Sequence, residues 1–235
     1  MSSSARIGVV LFPGTNCELD VIEVVRDLGG SAEIVWHGDT TIASNIDGLV
    51  LPGGFAHGDY LRTGAIARFS PIMTAIEAFA RDGGPVLGIC NGFQVLCEAG
   101  LLPGALQKNA GLKFRCSTTA IRVETTTTSC TNEATLHQVL QLPINHFEGN
   151  YTCDRRTRDQ LRDEDRVVFR YLDNPNGSLD DIAGVCNQAR NVVGLMPHPE
   201  RACHPLLGST DGAVIMRSLL AAVPAATGTP ATTAV

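Results

Sequence analysis

Gly88-Ile89-Cys90-Asn91-Gly92 follows an apolar run and precedes a helical pattern, and this placement of a thiol between two glycines decides the fold. Pro85-Val86-Leu87-Gly88-Ile89 reads as a short buried strand, and Phe93 to Ala99 carries apolar residues at helical spacing up to Gly100. Cys90 therefore sits on a strand-to-helix turn. Such a turn is too tight for side chains beside the nucleophile, and glycine tolerates the close backbone approach. The pattern is a nucleophile elbow. The helix start adds unpaired N–H groups and a positive dipole end, which favour a thiolate and can hold an oxyanion. A cysteine in an apolar stretch is more often inert than reactive, so the elbow needs partners elsewhere in the chain.

Val192-Val193-Gly194-Leu195-Met196-Pro197-His198-Pro199-Glu200-Arg201 supplies them. An apolar strand runs into a histidine flanked by prolines, and each proline disfavours helix at the residue before it and fixes its own φ. His198 and Glu200 should then lie on extended chain, where residues two apart face the same way. The carboxylate can fix the imidazole tautomer and leave the other ring nitrogen for the thiol, a Cys-His-acid division of labour. A third element is Asp47-Gly48-Leu49-Val50-Leu51-Pro52-Gly53-Gly54-Phe55, a strand ending in a Pro-Gly-Gly turn. Backbone N–H groups at Gly53 or Gly54 can point at a developing oxyanion, with the N–H of Asn91 as the second donor.

The order Pro-Gly-Gly, Gly-x-Cys-x-Gly-x-Gln and His-Pro-Glu resembles the glutamine amidotransferases that use a Cys-His-Glu triad. Long stretches carry the resemblance between Arg6 and Leu220: Val9 to Glu18, Pro52 to Ala67, Gly88 to Gly104 and Gly194 to Arg201. It implies a flavodoxin-like glutamine amidotransferase fold and a triad of Cys90, His198 and Glu200. Gln94, one helical turn beyond the nucleophile, is implied to hold the bound amide or thioester. The most similar branch is that of glutaminase subunits in purine biosynthesis, which deliver ammonia to a synthetase that converts formylglycinamide ribonucleotide to formylglycinamidine ribonucleotide.

The chain contains no G-x-x-x-x-G-K-[ST] phosphate loop. The resemblance accordingly implies no cofactor in this chain, ATP and magnesium in a large synthetase partner, and leaves room for a small accessory subunit. Ammonia release without an acceptor would be futile, which predicts a glutaminase nearly silent until docked. Gly58 to Gly64 reads either as part of the docking surface or as the lead-in loop of a helix. Two rival classes fit less well. The cysteine peptidases of related α/β fold place histidine directly after the nucleophile, where this chain has Asn91, and a binding module that had lost catalysis would not need Cys90, His198 and Glu200 together. The cluster His198, Glu200, Cys203 and His204 has metal-capable side chains, but its spacing matches no zinc pattern, so no metal is expected.

Two segments depart from the family. Pro143 to Asn150 carries Phe147 where a small residue usually follows the histidine, and Arg155 to Arg166 is a polar insert of mixed charge that reads as a solvated loop or short helix.

Composition agrees with one globular enzyme domain. The 235 residues are 44% apolar and 18% charged, with a formal net charge of −6, which gives no reason to expect nucleic acid or an anionic membrane as partner. No apolar stretch has membrane-spanning length, and the first six residues lack the regions of a signal peptide. Eight irregularly spaced cysteines suit reduced thiols and a cytoplasmic location. Strands are expected at Ile7 to Phe12, Ala32 to Trp36, Gly48 to Leu51, Thr118 to Glu124, Val167 to Tyr171, Ile182 to Val185 and Val192 to Met196. Helices are expected at Cys17 to Leu28, Ala65 to Arg81 and Asp211 to Ala222. This alternation predicts an α/β fold with an open, largely parallel central sheet and helices on both faces. Residues 1–5 are expected to be flexible, 6–220 to form the domain, and 221–235 to form a disordered tail.

Overall fold

The structure, a computed structural model, describes residues 4–223. The strands are β1 (Arg6–Leu11), β2 (Ser31–Trp36), β3 (Gly48–Leu51), β4 (Val86–Ile89), β5 (Ala105–Lys108), β6 (Arg115–Val123), β7 (Val139–His146), β8 (Glu148–Thr152), β9 (Val167–Tyr171), β10 (Ile182–Cys186) and β11 (Val192–Leu195). The helices are α1 (Glu18–Asp27), α2 (Ile72–Arg81), α3 (Asn91–Glu98), α4 (Arg155–Asp163) and α5 (Ala213–Ala221). Nine strands form one sheet in the order β2-β1-β3-β4-β11-β10-β9-β6-β7, and β5 pairs with β8 in a second.

The sheet has two halves. From β2 to β11 every neighbouring pair is parallel, and from β11 to β7 every pair is antiparallel. The strands at the centre of the parallel half are uninterrupted apolar runs because helices cover them: all four residues of β3, β4 and β11 are buried. Edge strand β2 buries only Val35. From β1 the chain moves through α1 to β2 on one side, whereas from β3 it moves through α2 to β4 on the other. Right-handed crossovers put α1 and α2 on opposite faces and open a crevice at the carboxyl ends of β1 and β3.

The expected helix from Ala65 to Arg81 is broken. Pro71 has no N–H to donate and holds Ser70 extended (φ −62°, ψ 142°), so a single tight turn at Ala67–Phe69 is separated from α2. Helix α2 then buries Ile72, Met73, Ile76 and Ala80 at helical spacing.

Strands β5, β7 and β8 were not expected, and the stretch 143–150 is the end of β7, Phe147 and the start of β8. Pro143 argues against a central strand, and β7 is indeed the outermost one. Its period-2 pattern is plain in burial, with Leu140, Leu142, Ile144 and His146 inward. The charged insert forms α4, capped by Asp154, whose Oδ1 accepts from the Thr157 N–H at 2.7 Å; only Leu161 of this helix is buried. The eight cysteines are unpaired. No helix among the described residues is long and apolar enough to cross a membrane. The flexible start expected at 1–5 and the tail expected at 221–235 fall mostly outside the described residues, and Ala221 closes α5.

Candidate active site

Cys90 joins β4 to α3 with φ 49° and ψ −104°, a backbone conformation that costs an L-residue about 1–3 kcal/mol. Neighbouring strands hold it there. The Cys90 N–H donates to the Leu195 carbonyl on β11 at 2.8 Å, and the Cys90 carbonyl accepts from the Gln94 N–H at 3.2 Å. The flanking glycines are sterically required: a Cβ on Gly92 would lie 1.9 Å from the Leu51 carbonyl oxygen, and one on Gly88 would lie 2.9 Å from the Gly92 backbone. The elbow is therefore wedged against β3 as well as β4.

Asn91 ties the elbow to the Pro-Gly-Gly turn, because its Oδ1 accepts from the Ala56 N–H at 3.1 Å. The backbone N–H groups of Gly54 and Asn91 make no hydrogen bond to another group among the described residues. Gly54 lines the same cavity as Cys90, whereas Gly53 backs onto the histidine: a Cβ there would meet His198 Cε1 at 2.6 Å. Of the two glycines, Gly54 is the one on the cavity side.

His198 and Glu200 follow β11 and are both buried. The Nδ1 of His198 meets Glu200 Oε1 at 2.6 Å, and Nε2 has no hydrogen-bond partner. The pair forms not on extended chain, as expected, but across a 3-10 turn at Pro199–Arg201 that starts at the second proline, with only His198 itself extended. Burial opposes a charge on this ring, but Glu200 and then Cys90 outweigh it and hold the pKa of His198 well above the ordinary histidine value. The imidazole is thus proton-bound, oriented from one side and unpartnered on the other. The backbone N–H of His198 donates to the Pro143 carbonyl at 2.8 Å, so β7, the far edge of the sheet, folds back over the parallel half.

That fold-back walls one side of a cavity of about 120 Å³ over Cys90. Gln94 lines it and is buried rather than exposed. The Gln94 Nε2 donates to the Glu148 carbonyl, and its Oε1 accepts from Asn91 at 3.3 Å. The antiparallel half contributes Asn145, His146 and Glu148, with the Asn145 carbonyl 3.9 Å from Cys90 Sγ. Asn109 clamps this wall: its Nδ2 donates to the His146 and Lys113 carbonyls, and its Oδ1 accepts from the Gly149 N–H. Sequence reasoning had assigned no role to His146 or Glu148. A buried histidine at the inward end of an alternating strand was the available signal.

Cys17, the residue before α1, is a second unforeseen neighbour. Its Sγ accepts from the Arg201 guanidinium at 3.1 Å, and the donor atoms of Cys17, His198 and Glu200 lie within 4.8 Å of one another. Cys17 is paired with Arg201, and His198 with Glu200. Cys203 and His204, grouped with His198 in the sequence, instead make local backbone contacts with Pro199 and Leu206.

Comparison with known proteins agrees with this architecture. Residues 4–212 match the family of CobB/CobQ-like glutamine amidotransferase domains. The chain is 57% identical to the phosphoribosylformylglycinamidine synthase subunit PurQ of Rubrobacter xylanophilus, covering 92% of this chain and 98% of that one. It is 51% identical to the PurQ subunit of Koribacter versatilis, over 93% and 98% respectively. A solved structure described as PurLQS from Thermotoga maritima superimposes with a TM-score of 0.85 at 39% identity, over 93% of this chain and 98% of that chain. The chain belongs to the CobB/CobQ-like glutamine amidotransferase family and, within it, to the group of the PurQ subunits of phosphoribosylformylglycinamidine synthase.

Proposed function

We propose that the chain is the glutaminase subunit of a phosphoribosylformylglycinamidine synthase, hydrolysing glutamine and passing ammonia to a synthetase subunit. The observation that carries this reading is the elbow thiol lining a cavity, with a buried His198 whose Nδ1 is 2.6 Å from Glu200. In the mechanism, the Cys90 proton resides on His198, and the thiolate attacks the side-chain amide carbon of glutamine. The N–H groups of Gly54 and Asn91 receive the oxyanion, where losing one donor would cost about 10²–10³-fold in rate. His198 then protonates the departing nitrogen. Ammonia leaves, and a glutamyl thioester remains on Cys90. Water, deprotonated by the same imidazole, attacks the thioester and releases glutamate. Glu200 keeps the ring oriented through both halves of the reaction, and Gln94 borders the bound acyl group.

The ammonia acceptor belongs to a large synthetase subunit, with ATP and magnesium bound there and a small accessory subunit completing the assembly. This chain acts in the cytoplasm, as one domain spanning 6–220. The partner assignment is supported by the family relationship and by the high coverage of the PurLQS comparison. Cys90→Ala, assayed with the synthetase partner, tests the reading: glutamine-driven synthesis should vanish while ammonium-driven synthesis survives. Retained glutamine-driven synthesis would refute it.

A further inference from the structure

Three turns meet behind Gly54. The turn after β1 carries Asn16 and Cys17, the turn after β3 carries Gly53 and Gly54, and the turn after β11 carries His198 and Arg201. Of these residues only Gly54 lines the cavity over Cys90. The backbone N–H groups of Asn16 and Cys17 both donate to the Gly53 carbonyl at 3.2 Å, and the Phe55 N–H returns a bond of 2.9 Å to the Gly14 carbonyl. A trans peptide unit is planar, so its carbonyl and its N–H point opposite ways, and no peptide among the described residues is cis. The Gly53 carbonyl and the Gly54 N–H belong to one such unit. Drawing the carbonyl toward the start of α1 therefore turns the N–H the other way, and that N–H is one of the two left without a partner.

Side chains hold this clamp in turn. Cys17 is only 2% exposed, and its Sγ accepts from the Arg201 guanidinium at 3.1 Å, while Arg201 Nε donates to Asp20 on α1 at 3.1 Å. Arg201 thus ties the turn after β11 to the start of α1. The fit around Gly53 is close: a Cβ there would lie 2.6 Å from His198 Cε1 and 3.2 Å from Cys17 Sγ, so the peptide is held between imidazole and thiol. A displacement of Cys17 passes to Gly53 through its own N–H bond and that of Asn16. Neither Cys17 nor Arg201 reaches the cavity, so any effect they have on rate is carried through the turns.

We propose that Cys17 and Arg201 are positioning residues of the glutaminase reaction: their contact holds the start of α1 against the Gly53 carbonyl and so aims the Gly54 N–H at the developing oxyanion. The inference rests on the glutaminase reading and deepens it. A donor aimed at an oxyanion acts in the transition state and little in the bound substrate, so the clamp governs kcat rather than KM.

The test uses the chain assembled with its synthetase subunit and two readouts: steady-state glutamine turnover, and the rate at which iodoacetamide alkylates the peptide containing Cys90, followed by mass spectrometry. Alkylation depends on the thiolate and passes through no oxyanion. Cys17→Ala and Arg201→Met should each lower kcat for glutamine about tenfold, with KM and the alkylation rate changed by less than about threefold. Cys17→Ser keeps an acceptor for the guanidinium and should recover most of the lost kcat. The double variant should be no slower than Arg201→Met alone, because both substitutions break the same contact. Thermal melts establish that each variant is folded, and Cys17→Ala and Arg201→Met each stand as a test by themselves. An unchanged kcat in either one, or losses that add in the double variant, would overturn the proposal. A fall in alkylation equal to the fall in kcat would also overturn it, since the effect would then lie on the thiol and imidazole. Wild-type assembly that fails to turn over glutamine would instead overturn the glutaminase reading.

Discussion

The parallel and antiparallel halves of the sheet do different work at one site. The parallel half holds the proposed reacting groups on turns after its strands: Gly54 after β3, Cys90 after β4 and His198 after β11. The antiparallel half contributes no triad member, yet its outer strand folds back through the Pro143–His198 bond to cover the thiol with Asn145, His146 and Glu148. The first half is built on backbone geometry and tolerates no added atoms. The second is a wall held by side-chain clamps, and its loss should affect binding more than chemistry.

Gly92→Ala should break the comparison on the parallel side most severely. The added Cβ meets backbone rather than a movable side chain, so the elbow must shift away from β3. The expected losses are about 1–3 kcal/mol of stability, measured by denaturant unfolding, and more than about 10²-fold in kcat. Normal activity would mean that the elbow is not wedged as described.

Glu200→Gln comes next. With the 2.6 Å contact to a carboxylate lost, kcat should fall on the order of 10²-fold. The sign of the pH effect is fixed by the cause: Glu200 is a group that raises the pKa of His198, so neutralising it moves the loss of the imidazole proton, and the basic limb of the rate profile, to lower pH. An unmoved basic limb would separate Glu200 from the titration of His198.

On the antiparallel side, Asn109→Ala removes three hydrogen bonds behind the wall. It should raise the KM for glutamine about tenfold and leave kcat within a few-fold, since Cys90 and His198 are untouched. An equal fall in kcat would show that the two halves are not separable.

The same division governs what was legible in the sequence. Cys90 and the His198–Glu200 pair could be found because their chemistry depends on short-range rules, glycines beside a tight turn and a carboxylate two residues from an imidazole, although the prolines place that carboxylate on a 3-10 turn and not on extended chain. The strands around them are buried on both faces and read as plain apolar runs. Strand β7 was hidden because Pro143 is tolerated only at an edge, and nothing local says that this segment is the edge. The break before α2 was hidden because the apolar residues on either side of Pro71 run on as if one helix spanned it. Asp59 lies in a turn after β3, whereas His146 ends β7 and Glu148 begins β8, and only the fold-back of β7 brings them to one cavity. Likewise, the choice between Gly53 and Gly54 turned on which one has the His198 ring behind it.

The most direct measurement is mass spectrometry of the chain, assembled with its synthetase and quenched in acid during glutamine turnover. A glutamyl adduct should be found on a peptide containing Cys90, and should be absent from Cys90→Ala. Steady turnover of glutamine by Cys90→Ala, or an adduct confined to Cys17 or another thiol, would contradict the account.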